Sequence, residues 1–272
     1  MLAPVIRRLL IDLETPLSRH WCNGDAFLTA FFNALSMSFP VGEQFFIDAV
    51  RDGFSLLPAE QQEKYRAEVQ GFVGQEATHR RIHGLFNTLL ERQGLVNQWG
   101  PLAAQRLKTF DGVDARHPLA ATAANEHFTA ILAHWFLQNQ DLFGASEPRI
   151  KTMWLWHACE ELEHRAVAFD ILVALGGSHE WRVRWMRRVT TLFWADVFRQ
   201  TARNLRRDGT LWQWRTWKSA AVHLLGARGV LRQTYGPWRA YFRRDFHPNQ
   251  MASTLHEQWL SENAAAYVQV GG

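Results

Sequence analysis

Four glutamates of this chain sit inside apolar runs, and two of them are followed three residues later by a histidine. Glu43 lies within Phe39-Pro40-Val41-Gly42-Glu43-Gln44-Phe45-Phe46, and Glu126 within Ala123-Ala124-Asn125-Glu126-His127-Phe128. Glu76 leads Glu76-Ala77-Thr78-His79, and Glu161 leads Glu161-Leu162-Glu163-His164. On a helix, positions three apart lie about 60° apart on one face and one turn along the axis, so both side chains of each Glu-x-x-His can reach one ion. An unpaired ionised carboxylate in apolar surroundings costs on the order of several kcal/mol. Four of them converging would also repel one another, and two bridged divalent cations would remove that repulsion. The competing reading, solvated helix faces or ion pairs with Arg80, Arg81 and Arg165, fits poorly with such apolar flanks.

One Glu from each of two helices, with Glu-x-x-His from each of two others, is the ligand set of di-iron and di-manganese bundle proteins. The order along this chain is the order such a bundle requires. His157, four residues before Glu161 and seven before His164, falls on the same face and is read as a seventh ligand. The expected metal set is therefore Glu43, Glu76, His79, Glu126, His157, Glu161 and His164. His83, on the face of Glu76 and His79, is placed in the outer shell together with Glu160, Gln75, Asn125 and Asp170. Glu160 competes with Glu161 but lacks the three-residue spacing to His164, and Glu163 is expected to point away.

The elements that must carry these residues are helices. Asn23-Gly24-Asp25 opens an apolar segment running to Gly53, with Pro40 expected to kink it one turn before Glu43. Pro58 starts a helix over 59–93 that Gly94 closes. A short helix is predicted over 101–111 and a long one over 119–143. Ser146-Glu147-Pro148 opens a fourth long helix, predicted to run to Gly176-Gly177. Strand signals are nearly absent. The fold class is all-α, a four-helix bundle with additional C-terminal helices. The chain is read as one domain over 1–272, with a metal-binding core at 20–177 and a helical extension at 180–262.

The blocks Ala34-Leu35-Ser36 to Phe46, Gln75 to His79, Glu126 to Ala130 and Trp156 to Asp170, with Phe246-His247-Pro248, resemble the bacterial family of predicted metal-dependent hydrolases. The resemblance covers about 20–250 and implies a ferritin-like bundle, since ferritin-like di-metal carboxylate proteins are that family's wider relatives. The His157–Glu161–His164 pattern is also similar in ligand order to di-iron arylamine N-oxygenases, where an extra histidine serves one iron.

Imidazole with bridging carboxylate and no thiolate suits iron, with manganese or zinc as alternatives. Two such ions can activate O2 to oxidise a small organic substrate, or activate a bridging hydroxide for hydrolysis. The oxygenase is the first expectation from the bundle ligand set and the metal-dependent hydrolase its alternative. A metal-loaded helical protein without turnover, lying at a membrane surface, is a third.

The 272 residues are 47% hydrophobic and 21% charged, which excludes disordered, collagen-like and coiled-coil classes. Two cysteines, Cys22 and Cys159, make neither a disulfide framework nor a thiolate zinc site, which points to a reducing compartment. Charge is uneven. Residues 1–181 hold 15 Lys and Arg against 21 Asp and Glu, and residues 182–272 hold 15 against 5. The stretch 182–244 interleaves those cations with Trp185, Trp194, Trp212, Trp214, Trp217 and Trp238. Peripheral contact with an anionic membrane through 182–244 is the partner this suggests. Nucleic acid is not expected, because no reading motif is present. Only three apolar residues follow Arg7-Arg8 before Asp12, so no N-terminal signal segment is expected. The longest uncharged stretch, Ala26 to Gly42, contains Asn33, Ser36, Ser38 and Pro40 and falls short of the roughly 20 apolar residues of a membrane span. A cytoplasmic homodimer or monomer, peripheral at most to the inner membrane face, is the resulting expectation.

Overall fold

The computed structural model describes residues 3–251 and 253–270. It is all-α, a helical bundle whose described residues contain one two-stranded ribbon. Asp25 caps the first helix, α1 (Ala26–Ser55), by accepting from Leu28 N–H at 2.8 Å. It packs along α2 (Ala59–Arg92), while α4 (Arg116–Gln138) packs along α5 (Pro148–His164). The short α3 (Trp99–Leu107) lies against α1. The predicted fourth long helix is divided: α5 stops at His164, and α6 (Val167–Ala174) resumes after Arg165-Ala166. Arg165 explains part of the break, since its guanidinium takes the carbonyls of Leu162 and of Pro248, the latter at 3.3 Å.

The apolar core has two parts, and the chain order on each helix shows what divides them. On α1, Phe32 and Leu35 belong to one cluster and Phe46 and Val50 to the other, with Glu43 between. On the antiparallel α2 the order reverses, Val69 and Phe72 preceding Glu76, and Ile82 and Phe86 following His79. A polar belt thus crosses the bundle between two hydrophobic clusters.

The C-terminal third continues as helices laid on this core. α7 (His179–Asp208) packs on α1 and α4, α8 (Trp214–Leu225) on α1 and α9 (Val230–Ala240), and α10 (Leu255–Glu262) on α5. Buried Arg182 of α7 donates to the carbonyls of Tyr241 and Arg243, both at 2.6 Å. His247 Nε2 meets Asp170 Oδ1 at 2.8 Å, so two of the sequence blocks quoted above are tied together. No helix among the described residues is long and apolar enough to cross a membrane.

The ribbon was not foreseen from the sequence. β1 (Arg7–Leu9) pairs antiparallel with β2 (Tyr267–Gln269). The chain just before β1 crosses α2 where Gly71 and Gly74 allow close approach; a Cβ on Gly71 would stand 2.4 Å from the Pro4 carbonyl oxygen. That approach delivers Val5 and Arg7 to the polar belt. Gly71→Ala should therefore destabilise the protein, because overpacking against backbone costs about 1–3 kcal/mol. This outweighs the roughly 0.5–1 kcal/mol a helix gains from Gly to Ala. Thermal unfolding followed by circular dichroism checks the sign; an unchanged or raised Tm would contradict the close packing.

Candidate metal centre

Glu43, Glu76, His79, Glu126, His157, Glu161 and His164 are all buried and meet in the belt, from α1, α2, α4 and α5. Ligand atoms of Glu76, Glu126, Glu161 and His164 lie within 4.8 Å of one another, and so do those of Glu43, His79 and His157. Two carboxylates lie between these groups. Glu161 Oε1 is 3.5 Å from His79 Nδ1 and 3.6 Å from His164 Nε2. Glu76 Oε1 is 3.9 Å and 3.0 Å from the same two atoms.

The outer nitrogen of each histidine is engaged, and this determines what the inner one offers. His157 is fixed by a chain that begins at Pro40. A proline has no N–H for the carbonyl four residues earlier, that of Ser36. The helix stays continuous, and Asn87 Nδ2 donates to that carbonyl instead, at 3.0 Å. Asn87 Oδ1 must then accept from Ser36 Oγ (2.8 Å), and Ser36 Oγ from His83 Nδ1–H (2.8 Å). His83 Nε2, left with its lone pair, accepts from His157 Nδ1–H at 2.7 Å. The lone pair of His157 Nε2 consequently faces Glu161 Oε1 at 2.8 Å. Two acceptors at that distance require a proton or a cation.

His164 Nδ1 is held at 2.8 Å by Gln75 Oε1, whose orientation is set by Gln75 Nε2 donating to Val5 O and Glu163 Oε2. His164 Nε2 is thereby directed at Glu76, Glu126 and Glu161. His79 Nε2 meets Glu160 Oε2 at 2.9 Å, and Glu160 also takes Arg7, at 3.2 Å. Burial pushes Glu160 up to about 8 despite Arg7, so this pair shares a proton near neutral pH. A cation at Nδ1 would place that proton on Nε2. Aromatic packing fixes the rings: His79 stacks on His157 at 4.1 Å, and Phe72 and Trp156 pack edge-on against His164 and His79.

The inward atoms have no such partners. Both oxygens of Glu43, Glu76 and Glu126, Glu161 Oε2, His79 Nδ1 and His164 Nε2 are buried without a hydrogen bond. Such groups are expensive unless something binds them. Burial, then the neighbouring carboxylates, hold Glu43 well above the usual carboxylate range. Burial raises Glu76 as well, and Glu126 to about 7, against the pull of His164. Burial opposes ionisation of Glu161, but His164 and the other two histidines overcome it and hold its pKa well down. Burial and His79 lower His157 to about 4. The donor set fits a pair of cations: oxygen and imidazole nitrogen only, converging and otherwise unsatisfied.

Of the five outer-shell candidates, His83, Glu160 and Gln75 bond directly to the three histidines. Asn125 and Asp170 do not join them. Asn125 donates back to Ala121 O on its own helix, and Asp170 is taken by His247. Glu163 faces away from the carboxylates, yet it grips Arg7 at 2.8 Å and Gln75 at 2.7 Å. Ser36, Asn87 and Arg7 were missed. Pro40 inside an apolar helix was the available clue to the first two, and nothing local marks Arg7.

The sequence matches the family of predicted metal-dependent hydrolases over residues 5–252. The chain belongs to that family. No curated protein and no solved structure matches it. Belonging to a metal-dependent family agrees with the two groups of converging buried donors.

Two outcomes are expected. His83→Leu and Gln75→Leu, which remove the direct partners of His157 and His164, should each weaken metal binding about 10–100-fold, the usual cost of losing an outer partner of a ligating histidine. Competition titration against a chelator measures this; wild-type affinity in both would contradict that role. Glu43, Glu76 and Glu126 retain protons above the usual 4.5 in the metal-free fold, Glu126 to about 7. Between 4.5 and those raised values the fold binds more of these protons than the unfolded chain, so this contribution to metal-free stability falls as pH rises. Metal must expel the protons, so binding should release them and strengthen from pH 6 to pH 8. Calorimetry in buffers of different ionisation enthalpy checks the release; binding without it would contradict the assignment.

Proposed function

We propose that this chain is a dinuclear metal-dependent hydrolase of a small, largely apolar substrate. The observation that carries the reading is the set of inward-facing nitrogens of His79, His157 and His164, set against four buried carboxylates. Glu76, Glu126, Glu161 and His164 would hold one ion, and Glu43, His79 and His157 the other. Bound metal would supply Lewis acidity and lower the pKa of a coordinated water toward neutrality.

The protein's own groups define what reaches that centre. A cavity of about 30 Å³ touches Glu161 and His157 and is otherwise walled mainly by Leu35, Phe39, Leu132, Phe136, Trp154 and Phe193. Its volume holds one or two waters, so a larger substrate needs these walls to part. The apolar lining selects an uncharged acyl group, such as an ester or lactone, and excludes bulk water. The aromatic cage around His79, His157 and His164 keeps the imidazoles in place.

The same cavity favours a second reading. An apolar space of this size beside Glu161 and His157 accommodates O2, and the donor set suits iron, which supports an oxygenase or oxidase.

Anaerobic loading with Fe(II), Mn(II) or Zn(II), followed by metal analysis, should return two ions per chain. Ester and lactone turnover without O2 consumption supports the hydrolase. Oxygen uptake by the Fe(II) form with no hydrolysis by any metal form would replace it with the second reading. Glu161→Gln should bind fewer ions and lose turnover; full loading and activity in that variant would remove Glu161 from the centre.

A further inference from the structure

α8 carries a face that nothing among the described residues covers. Its buried residues, Thr216 and Ala220, turn toward the body, and the opposite side presents Trp214, Trp217, Lys218, Ala221 and Leu225, flanked by Arg215 and Val222. At about 100° per residue these exposed positions form one continuous stripe. Trp212 precedes it and is 87% exposed, with Trp214 at 67%, Leu225 at 65%, Val222 at 54% and Trp217 at 53%. Tryptophan is highly buried on average, and three exposed ones beside two aliphatics form a patch that marks an interaction site. Trp217 spends its indole N–H internally, on Leu211 O at 2.8 Å, and so shows an apolar ring outward.

Charge around the stripe has one sign. No Asp or Glu occurs from Gly209 to Arg244. Arg206 and Arg207 at the end of α7, with Arg215 and Lys218 on α8, are exposed and make no ion pair among the described residues. The nearest acids are engaged: Asp208 by Arg19, His20 and Thr210, and Asp25 as the cap of α1.

We infer that the segment from Thr210 to Leu225 docks α8 flat on the surface of an anionic lipid bilayer. Tryptophan rings sit at the headgroup level, aliphatic side chains enter the acyl boundary, and neighbouring cations meet lipid phosphates. The stripe supplies all three. A second copy of the chain fits less well, because two such faces would set like charges together, and Asp25, the carboxylate lining the depression beside Arg215 and Lys218, is engaged as the cap of α1. Single-stranded nucleic acid would use the rings and cations but leave Val222, Ala221 and Leu225 without a role.

Flotation of the full chain with vesicles tests this, using phosphatidylcholine alone or mixed with phosphatidylglycerol, at low and high salt. Binding to the mixed vesicles is expected, weakened by salt and weak on phosphatidylcholine alone. Trp212→Ala with Trp214→Ala, and separately Arg215→Glu with Lys218→Glu, should each cut binding by about tenfold or more. These side chains are exposed, and an unchanged circular dichroism melt confirms that the variants fold. No flotation with phosphatidylglycerol vesicles overturns the inference. So does wild-type flotation by both folded variants. Loss of a homodimer, or of oligonucleotide binding, in these variants without any lipid effect would assign the surface to that other partner.

Discussion

Four buried carboxylates cannot all be ionised in an apolar bundle without positive charge among them, and this constraint organises the structure. Glu43, Glu76, Glu126 and Glu161 are each almost fully enclosed, and most of their oxygens find no hydrogen-bond donor. In the metal-free fold, protons make the arrangement tolerable: several carboxyls hold theirs far above the ordinary range, and His164 becomes a cation beside Glu161. Divalent ions would supply the same positive charge in place of those protons. Hydrophobic packing above and below the belt provides the stability such a site requires.

The outward side of the belt is as specified as the inward side. Each histidine has a partner behind it: His83 for His157, Gln75 for His164, Glu160 for His79. Behind these stand Ser36, Glu163 and Arg7, drawn from α1, α5 and β1. A helix proline, ordinarily a defect, becomes useful here, since the carbonyl it leaves free orients Asn87. Glycines at 71 and 74 serve similarly by letting the N-terminal strand reach the belt.

Much of the centre was legible because its logic is local. Glu-x-x-His puts two donors on one helical face, and apolar flanks around Glu43 and Glu126 forecast burial without knowledge of neighbours. The all-α fold followed from helical punctuation such as Asp25, Gly94 and Pro148. What escaped was tertiary. Arg7 reaches Glu160 only because the two ends of the chain pair as strands, and neither short segment has a strand pattern. At the interruption after His164, Arg165 meets the carbonyl of Pro248, more than 80 residues on. Asn125 and Asp170 looked well placed by position but satisfy themselves elsewhere, one on its own helix and one on the extension.

Anomalous diffraction from crystals loaded with Mn(II) or Fe(II), recorded at the metal's absorption edge, tests the central claim most directly. Two peaks about 3.5–4 Å apart are expected between Glu76 and Glu161, one beside His164 Nε2 and the other beside His79 Nδ1 and His157 Nε2. A belt without anomalous density, or metal found only at surface carboxylates, would contradict it.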